Sequence, residues 1–534
     1  MHALSEFLVR KPFVIIIVIA LFSAVLSCSA KNRSDDHLYC RLNADPSTLD
    51  PALITDVQAS VVAAKLFNGL VRLDERLAVV PDIADSWEMS KDGLIYRFIL
   101  KKGVLFSNGR EVTSVDFKYA FERVLDPRTR SPNKWIFENV EGAASFREGK
   151  AAGVAGFRAA SPHEFEIRLS RPFSPFLKML AMTPAYVLPM EAVMSMGSEF
   201  GSAPVGTGPY ILEAWKLNRE LLLKKNDRYF GNTPHLKGMV FRIIPEDLTA
   251  VVEFELGNLD LMQLPVSAYR KMTKDSGWKS YIEFAPGLNT YYLGLNTARP
   301  PLNNRALRKA ITLAVDRRKM LETFYQGRGR LARGPVPDML RNWELRKEAS
   351  EISYNPEAAR KIVTENGLRG TRLSLYVPAD QEAVDIAEII QGYLSEAGLV
   401  TVVRQLEWSA FKEAVNKGEP DMFWLSWWAD YPDPENFLFP LFHSENLGPA
   451  GNRTRYINGE VDRLIEHGRL SVDEIKRNTS YQKAEEIIVS DAPWVFFWHK
   501  TDCIIRQPWV EGFRTYTVYN MDKGLDIKLG RRNN

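Results

Sequence analysis

The stretch "TRLSLYVPADQEAVDIAEIIQGYLSEAGLVTVVRQLEW", residues 371–408, contains a strand at "TRLSLYVP", a helix at "AVDIAEIIQGYLSEAGL" and a second strand at "VTVVRQLEW". Two strands separated by a helical crossover pack side by side in parallel, so this order predicts an α/β domain with a parallel or mixed sheet. The same alternation extends upstream. "NTYYLGLNTARPPLNNRALRKAITLAVDRRKML" (289–321) runs from strand through a Pro/Asn loop to an amphipathic helix, with Leu307, Ile311, Ala314 and Val315 on its apolar side. "PVGTGPYILEAWKLNRELLLKKNDRYF" (204–230) supplies a glycine-proline turn and two strands, and "GNLDLMQLPVSAYRKM" (257–272) a strand followed by a helix. Nearer the start, a helix is expected over Val57 to Gly69. "LIYRFILKKGVLFSNG" alternates around Tyr96, Phe98 and Leu100 and closes in an Asn-Gly hairpin turn, and Ser114 is the expected N-cap of the helix "VDFKYAFERVLDP".

At 534 residues the chain exceeds what one core usually supports, so two or three domains are expected. The 69 basic and 66 acidic residues nearly cancel, and no basic cluster is interleaved with aromatics, which argues against a nucleic-acid partner. Arg10 and Lys11 precede an apolar run from Phe13 to Leu26 that is too short to span a bilayer comfortably, the pattern of an export signal. It ends in Val25-Leu26-Ser27-Cys28, which resembles a bacterial lipobox with Cys28 as the lipidated residue. The reading is therefore a signal with lipobox over 1–28 and a polar tether over 29–37. The alternative is an uncleaved anchor helix with an incidental cysteine. Cys40 and Cys503 are the only other cysteines, and the sequence leaves open whether they form a disulfide or remain thiols.

Catalytic and cofactor motifs fail on inspection. "GTGPYI" lacks the third glycine of a dinucleotide fingerprint and places Pro209 where backbone donors are needed, and "GRGRLARG" has no lysine-serine/threonine pair. GxSxG, HExxH and CxxC are absent, and the seven histidines have no metal-like spacing. Asp430 and Asp433 are a weak match to paired glycosidase carboxylates, and Pro432 and Pro434 spoil a calcium loop there. No cofactor is expected.

Five stretches in order carry a family resemblance: "LDPALITD" (49–56), "ADSWEMSKDGLIYRFILKKGVLFSNGREVTSVDFKYAFERVLDP" (84–127), "PVGTGPY" (204–210), "GLNTARPPLNNRALRKAITLAVDR" (294–317) and "WWADYPDPENF" (427–437). After its signal, the chain resembles the oligopeptide- and dipeptide-binding proteins of bacterial peptide ABC importers, solute-binding protein family 5. The resemblance implies an α/β, three-domain flytrap fold of the large peptide-binding type with mixed sheets. Domain I would comprise 38–67, 190–288 and 500–534, domain II 68–189 and domain III 289–499, with hinges near Asn289 and His499. It further implies a monomeric, extracytoplasmic, lipid-anchored receptor, not an enzyme, that hands an oligopeptide to the importer's permease. A non-peptide ligand on the same scaffold (a nickel chelate, heme or an oligosaccharide) is the alternative, and a carboxylate-dependent hydrolase a more distant one.

By the same resemblance Asp430 anchors the ligand's α-amino group, an ammonium that loses hydration in a closed cleft and needs a carboxylate in exchange. The ligand would lie as an added strand between backbone at Thr55, Asp56 and Val57 and backbone at Ser426, Trp427 and Trp428. Trp408, Trp427, Trp135, Tyr291 and Tyr292 fall at aromatic or pocket-lining positions, with Trp427 the leading cleft candidate. There is one departure. Val415 and Trp424 stand where the oligopeptide receptors carry arginines, and Glu382 near where they carry a histidine, all groups that help receive the ligand's carboxylate. Longer peptides, peptides with a blocked or remote carboxylate, and cell-wall fragments are the alternatives this opens.

Overall fold

The computed structural model describes residues 33–345 and 353–532; the signal segment, the lipobox and Cys28 lie outside them. Twelve strands form one mixed sheet. Its path runs Val400–Leu406, Arg372–Pro378, Met422–Trp428, Asn289–Leu295, Trp494–Arg506, Leu261–Gln263, His37–Leu42, Gly238–Ile243, Glu220–Lys225 and Tyr210–Lys216. Ile282–Pro286 and Gly329–Leu331 also pair with Trp494–Arg506. The strands at 372–378 and 400–406 are parallel, as the crossover helix Gln381–Glu396 demands. A separate antiparallel sheet joins Ala84–Met89, Ile95–Leu100, Glu164–Arg168 and Phe157–Ser161.

The strand Trp494–Arg506 holds the two halves of the large sheet together. Up to Trp498 it pairs with Asn289–Leu295, and from Thr501 onward with Ile282–Pro286. Asn289 bridges the exchange of partners: its side chain accepts from Lys500 N at 2.7 Å and donates to Lys500 O at 3.1 Å. His499 sits beside it, with Nδ1 2.8 Å from Asn289 O. Burial pushes His499 down to about 4 and keeps the ring neutral.

Local chemistry accounts for the motifs. In "PVGTGPY" the loop packs on the end of the helix Val57–Leu66, where Gly208 N donates to Leu66 O at 2.8 Å. A Cβ at Gly206 would meet Leu66 O at 2.0 Å and one at Gly208 would meet Lys65 O at 2.3 Å, so both positions need glycine for close approach. Two details differ from expectation. The Asn108-Gly109 turn closes only a short ladder at Leu105 and Glu111, while Ile95–Leu100 pairs with Ala84–Met89 and Glu164–Arg168. The cap of the helix Ser114–Leu125 is Thr113, in a capping box with Asp116. Ser114 instead lies inside the helix and donates to Ser161 O at 2.5 Å.

Cys40 and Cys503 are free thiols. Cys40 pairs with Leu261, whose strand lies between His37–Leu42 and the strand carrying Cys503, so the cysteines sit two strands apart.

In the helix Glu474–Asp491, Glu485 is fully buried. Its carboxylate accepts from Trp343 Nε1 at 3.0 Å and Val336 N at 3.3 Å, with Arg341 Nε 3.7 Å away. Desolvation outweighs these partners and raises it from 4.5 to about 7. The folded state therefore binds this proton more tightly than the unfolded chain, and the contribution to stability is present below pH 4.5 and lost as pH rises to about 7. The shift corresponds to about 3 kcal/mol. Glu485→Gln should thus gain about 3 kcal/mol relative to wild type between those limits. Urea unfolding at pH 4.5 and 8 measures it, and parallel curves for the two proteins would contradict the assignment.

Candidate functional site

Thr55, Asp56, Val57, Trp135, Trp428 and Asp430 line one cavity of about 680 Å³, together with Ser60, Asn133, Lys178, Met182, Pro432 and Tyr519. They reach it from distant parts of the chain. Thr55 and Asp56 lead into the helix Val57–Leu66, Trp135 comes from the turn Lys134–Phe137, and Trp428 ends the strand Met422–Trp428 with Asp430 just beyond it.

The strand Met422–Trp428 offers a free edge. It meets Arg372–Pro378 only at Met422 and Phe423, so among the described residues one side of Trp424–Trp428 has no neighbouring strand. The hydrogen bond from Ala429 N to Leu288 O (2.8 Å) fixes the alternation against Asn289–Leu295. Trp427 and Leu425 then bond inward to Thr290 and Tyr292, and the N–H and C=O groups of Ser426 and Trp428 point to the free side. Opposite, the Thr55 N–H and C=O and the Val57 N–H have no protein partner among the described residues. The Asp56 carboxylate is committed: it caps the helix through Ala59 N at 2.7 Å and accepts from Ser47 Oγ at 2.5 Å.

"WWADYPDPENF" folds into a cradle that presents Asp430. Asn436, in the first turn of the helix Glu435–Phe442, accepts from Asp430 N (3.0 Å) and Trp427 Nε1 (3.2 Å) and donates to Asp430 Oδ2 at 3.3 Å. Asp430 opens into the cavity, and no ion pair reaches its carboxylate among the described residues. Partial desolvation by the surrounding cleft wall pushes the carboxyl upward, against the single hydrogen bond from Asn436. Tyr431 Oη bonds the Glu435 carboxylate behind the turn, and Trp135 packs on the Tyr431 ring at 5.8 Å. Asp433 pairs with Arg477, and Lys178 reaches across the cavity to Pro432 O at 2.8 Å and Asp433 at 3.4 Å.

Several expected site residues sit elsewhere. Trp427 belongs to the wall behind the cavity, packed on the core, and its neighbour Trp428 faces the ligand space, as strand alternation requires. Tyr292 is wholly buried and stacks on Trp494. Tyr291, on the opposite face of the strand, is partly buried and packs among Tyr325, Trp424 and Trp498. Trp408 starts the helix Trp408–Lys417, half exposed and stacked on Phe411, away from the cavity. Asn436, Lys178 and Tyr519 were not anticipated. Asn436 had a local signal, an amide six residues after the acid, whereas Lys178 and Tyr519 arrive only by tertiary folding.

The departure also has a physical form. Val415 is core, Trp424 fills an aromatic cluster with Phe497 and Trp498, and Glu382 is bonded to Tyr325 Oη. No cation occupies these three positions.

Residues 78–449 match the family model "Bacterial extracellular solute-binding proteins, family 5 Middle". The probable D,D-dipeptide-binding periplasmic protein DdpA of Escherichia coli K12 is 29% identical over 483 residues, 88% of this chain and 90% of that one. Heme-binding protein A of Haemophilus influenzae is 29% identical over 508 residues, 91% of each chain. The unliganded open form of the periplasmic murein tripeptide binding protein MppA superposes with a TM-score of 0.79 at 25% identity, covering 93% of this chain and 98% of that one.

Proposed function

Because the chain belongs to family 5 of the bacterial extracellular solute-binding proteins, we propose that it captures oligopeptides with a free α-amino group in the Asp430 cavity and delivers them to the permease of an ABC importer. Membership makes it an extracytoplasmic transport receptor with the flytrap fold, and not an enzyme. The observation that carries the peptide reading is the pair of uncommitted backbones facing one cavity, the free side of Ser426–Trp428 and the start of the helix at Thr55–Val57, with an unpaired carboxylate at its end. A peptide added as a strand would satisfy both edges by main-chain hydrogen bonds, which read length and direction and tolerate varied side chains. Its ammonium would complete the ion pair that Asp430 lacks. A heme or nickel ligand offers no strand to those edges and no amine to that carboxylate.

In this reading Thr55, Val57, Ser426 and Trp428 contribute backbone, Trp135 and Trp428 flank the ligand, and Cys28 carries the lipid that tethers a monomeric receptor to the membrane. The test is mass spectrometry of whatever co-purifies with the protein under native conditions, followed by calorimetry with the recovered compounds and their N-acetylated forms. Peptides whose acetylation abolishes binding are expected. Recovery of heme, a metal chelate or a glycan as the stoichiometric ligand would overturn the reading.

A further inference from the structure

The helix Asp247–Glu255 is apolar on two sides. Its inner face buries Ala250, Val251 and Phe254 in a small core with Leu259, Met262 and Met272. Its outer face carries Leu248, Val252 and Leu256, which are 71%, 52% and 68% exposed; Leu256, the C-cap, keeps helical backbone. A surface helix ordinarily presents polar residues outward, and a lone exposed leucine needs no explanation. These three recur at i, i+4 and i+8, so they stack within about 80° of arc into one continuous ridge.

The charges around the ridge are sorted. Three of the four acids on this helix and its N-cap are matched: Asp247 pairs with Arg41 at 2.8 Å, Glu253 with Arg242 and Glu255 with Lys271, and only Glu246 has no cation among the described residues. Lys271 belongs to the neighbouring helix Val266–Lys274, and Trp278, just beyond that helix, packs on the Phe254 ring at 5.1 Å. The same segment adds Arg270, Lys274 and Lys279, all exposed and in no ion pair among the described residues. The result is a hydrocarbon ridge bordered by unpaired cations, the pattern of a helix that lies on a lipid surface.

The described chain starts at this spot. Arg33 donates to Gly257 O, one residue past Leu256, and pairs with Asp260. Cys28 stands five residues before Arg33. A chain advances at most about 3.6 Å per residue in any conformation, so an acylated Cys28 lies within about 18 Å of Arg33. Resting on the reading of Cys28 as the lipid-bearing residue, we propose that the ridge Leu248–Val252–Leu256 docks on the lipid surface that holds the anchor. The ridge enters the headgroup/acyl boundary by about 5–10 Å, and Arg270, Lys274 and Lys279 meet anionic headgroups. An acyl chain alone would let the receptor rotate about its tether, whereas two attachments fix its orientation on the membrane.

The test uses the full chain, exported, purified and reconstituted in phosphatidylethanolamine/phosphatidylglycerol vesicles that contain a phospholipid with a photoreactive diazirine near the headgroup end of its acyl chain. After irradiation, lipid adducts are mapped by peptide mass spectrometry. Adducts are expected on peptides covering 247–257 and not on those covering Ile475, which is 80% exposed in the helix Glu474–Asp491 and controls for chance encounter. Leu248→Gln with Leu256→Gln, both at exposed positions that leave the fold intact, should lose those adducts. Adducts no more frequent at 247–257 than at Ile475 in the wild-type protein overturn the inference and leave the tether standing. The mass of the Cys28 peptide reads the tether separately, and an unmodified Cys28 removes that reading and this inference with it. Neither result bears on peptide capture at Asp430.

Discussion

Replacing Asp430 with asparagine is expected to weaken binding of peptides with a free N-terminus roughly a hundredfold, about 3 kcal/mol, and to leave N-acetylated peptides nearly unaffected. Asparagine matches the carboxylate in size and keeps a partner for Asn436, so the cradle survives and only the charge is lost. The ligand's ammonium would then be desolvated in the cleft without a counter-ion, which is where the penalty arises. Because Asp430 opens into the cavity and pairs with no cation among the described residues, the substitution should leave thermal stability equal to or slightly above wild type, a separation of binding from folding. A pH dependence accompanies it. The cleft raises the Asp430 carboxyl, and only the ionised form pairs with an ammonium, so amine-dependent affinity should strengthen as pH rises through that raised value and the asparagine variant should lack the trend. Calorimetry giving equal affinities for wild type and variant would refute the anchor role.

The second large effect is structural. Asp433 is 1% exposed and pairs with Arg477, whose Nε also donates to Ser174 Oγ at 2.8 Å; nearby, Glu435, equally buried, pairs with Arg469 at 2.7 Å. The Arg477 guanidinium holds the Asp433 carboxyl below its usual value against strong desolvation. Arg477→Met should cost about 3–5 kcal/mol, because it strands a buried carboxylate that Lys178, at 3.4 Å and partly exposed, compensates only in part. Adding Asp433→Asn should restore much of the loss, since a neutral pair leaves no charge unpaired. Denaturant unfolding of the two single variants and the double variant reads the cycle, and strictly additive losses would rule out the pairing argument.

Much of the sheet was legible because strand-helix-strand order constrains topology. The stretch 371–408 folds as a parallel pair around its helix, and the strands and helices expected at 204–230, 257–272 and 289–321 are present. What failed was decided one residue at a time. Trp427 and Trp428 are chemically identical, and only the strand's pleat settles which one faces the cavity. Tyr291 and Tyr292 raise the same problem: Tyr292 is wholly buried against Trp494, and Tyr291, on the opposite face of the strand, is partly buried among Tyr325, Trp424 and Trp498. The Asn108-Gly109 turn was correctly placed but its partner strand was not, because pairing depends on which chain lies alongside.

The strand Trp494–Arg506 carries a further consequence, for synthesis. It contributes to both halves of the large sheet and connects His37–Leu42, through Leu261–Gln263, to everything beyond. A ribosome that has made residue 490 has therefore supplied eleven of its twelve strands and no finished sheet, because the missing one lies in the middle. Completion of the large sheet therefore waits for the last tenth of the chain, a long-range closure that the separate sheet of residues 84–168 does not share.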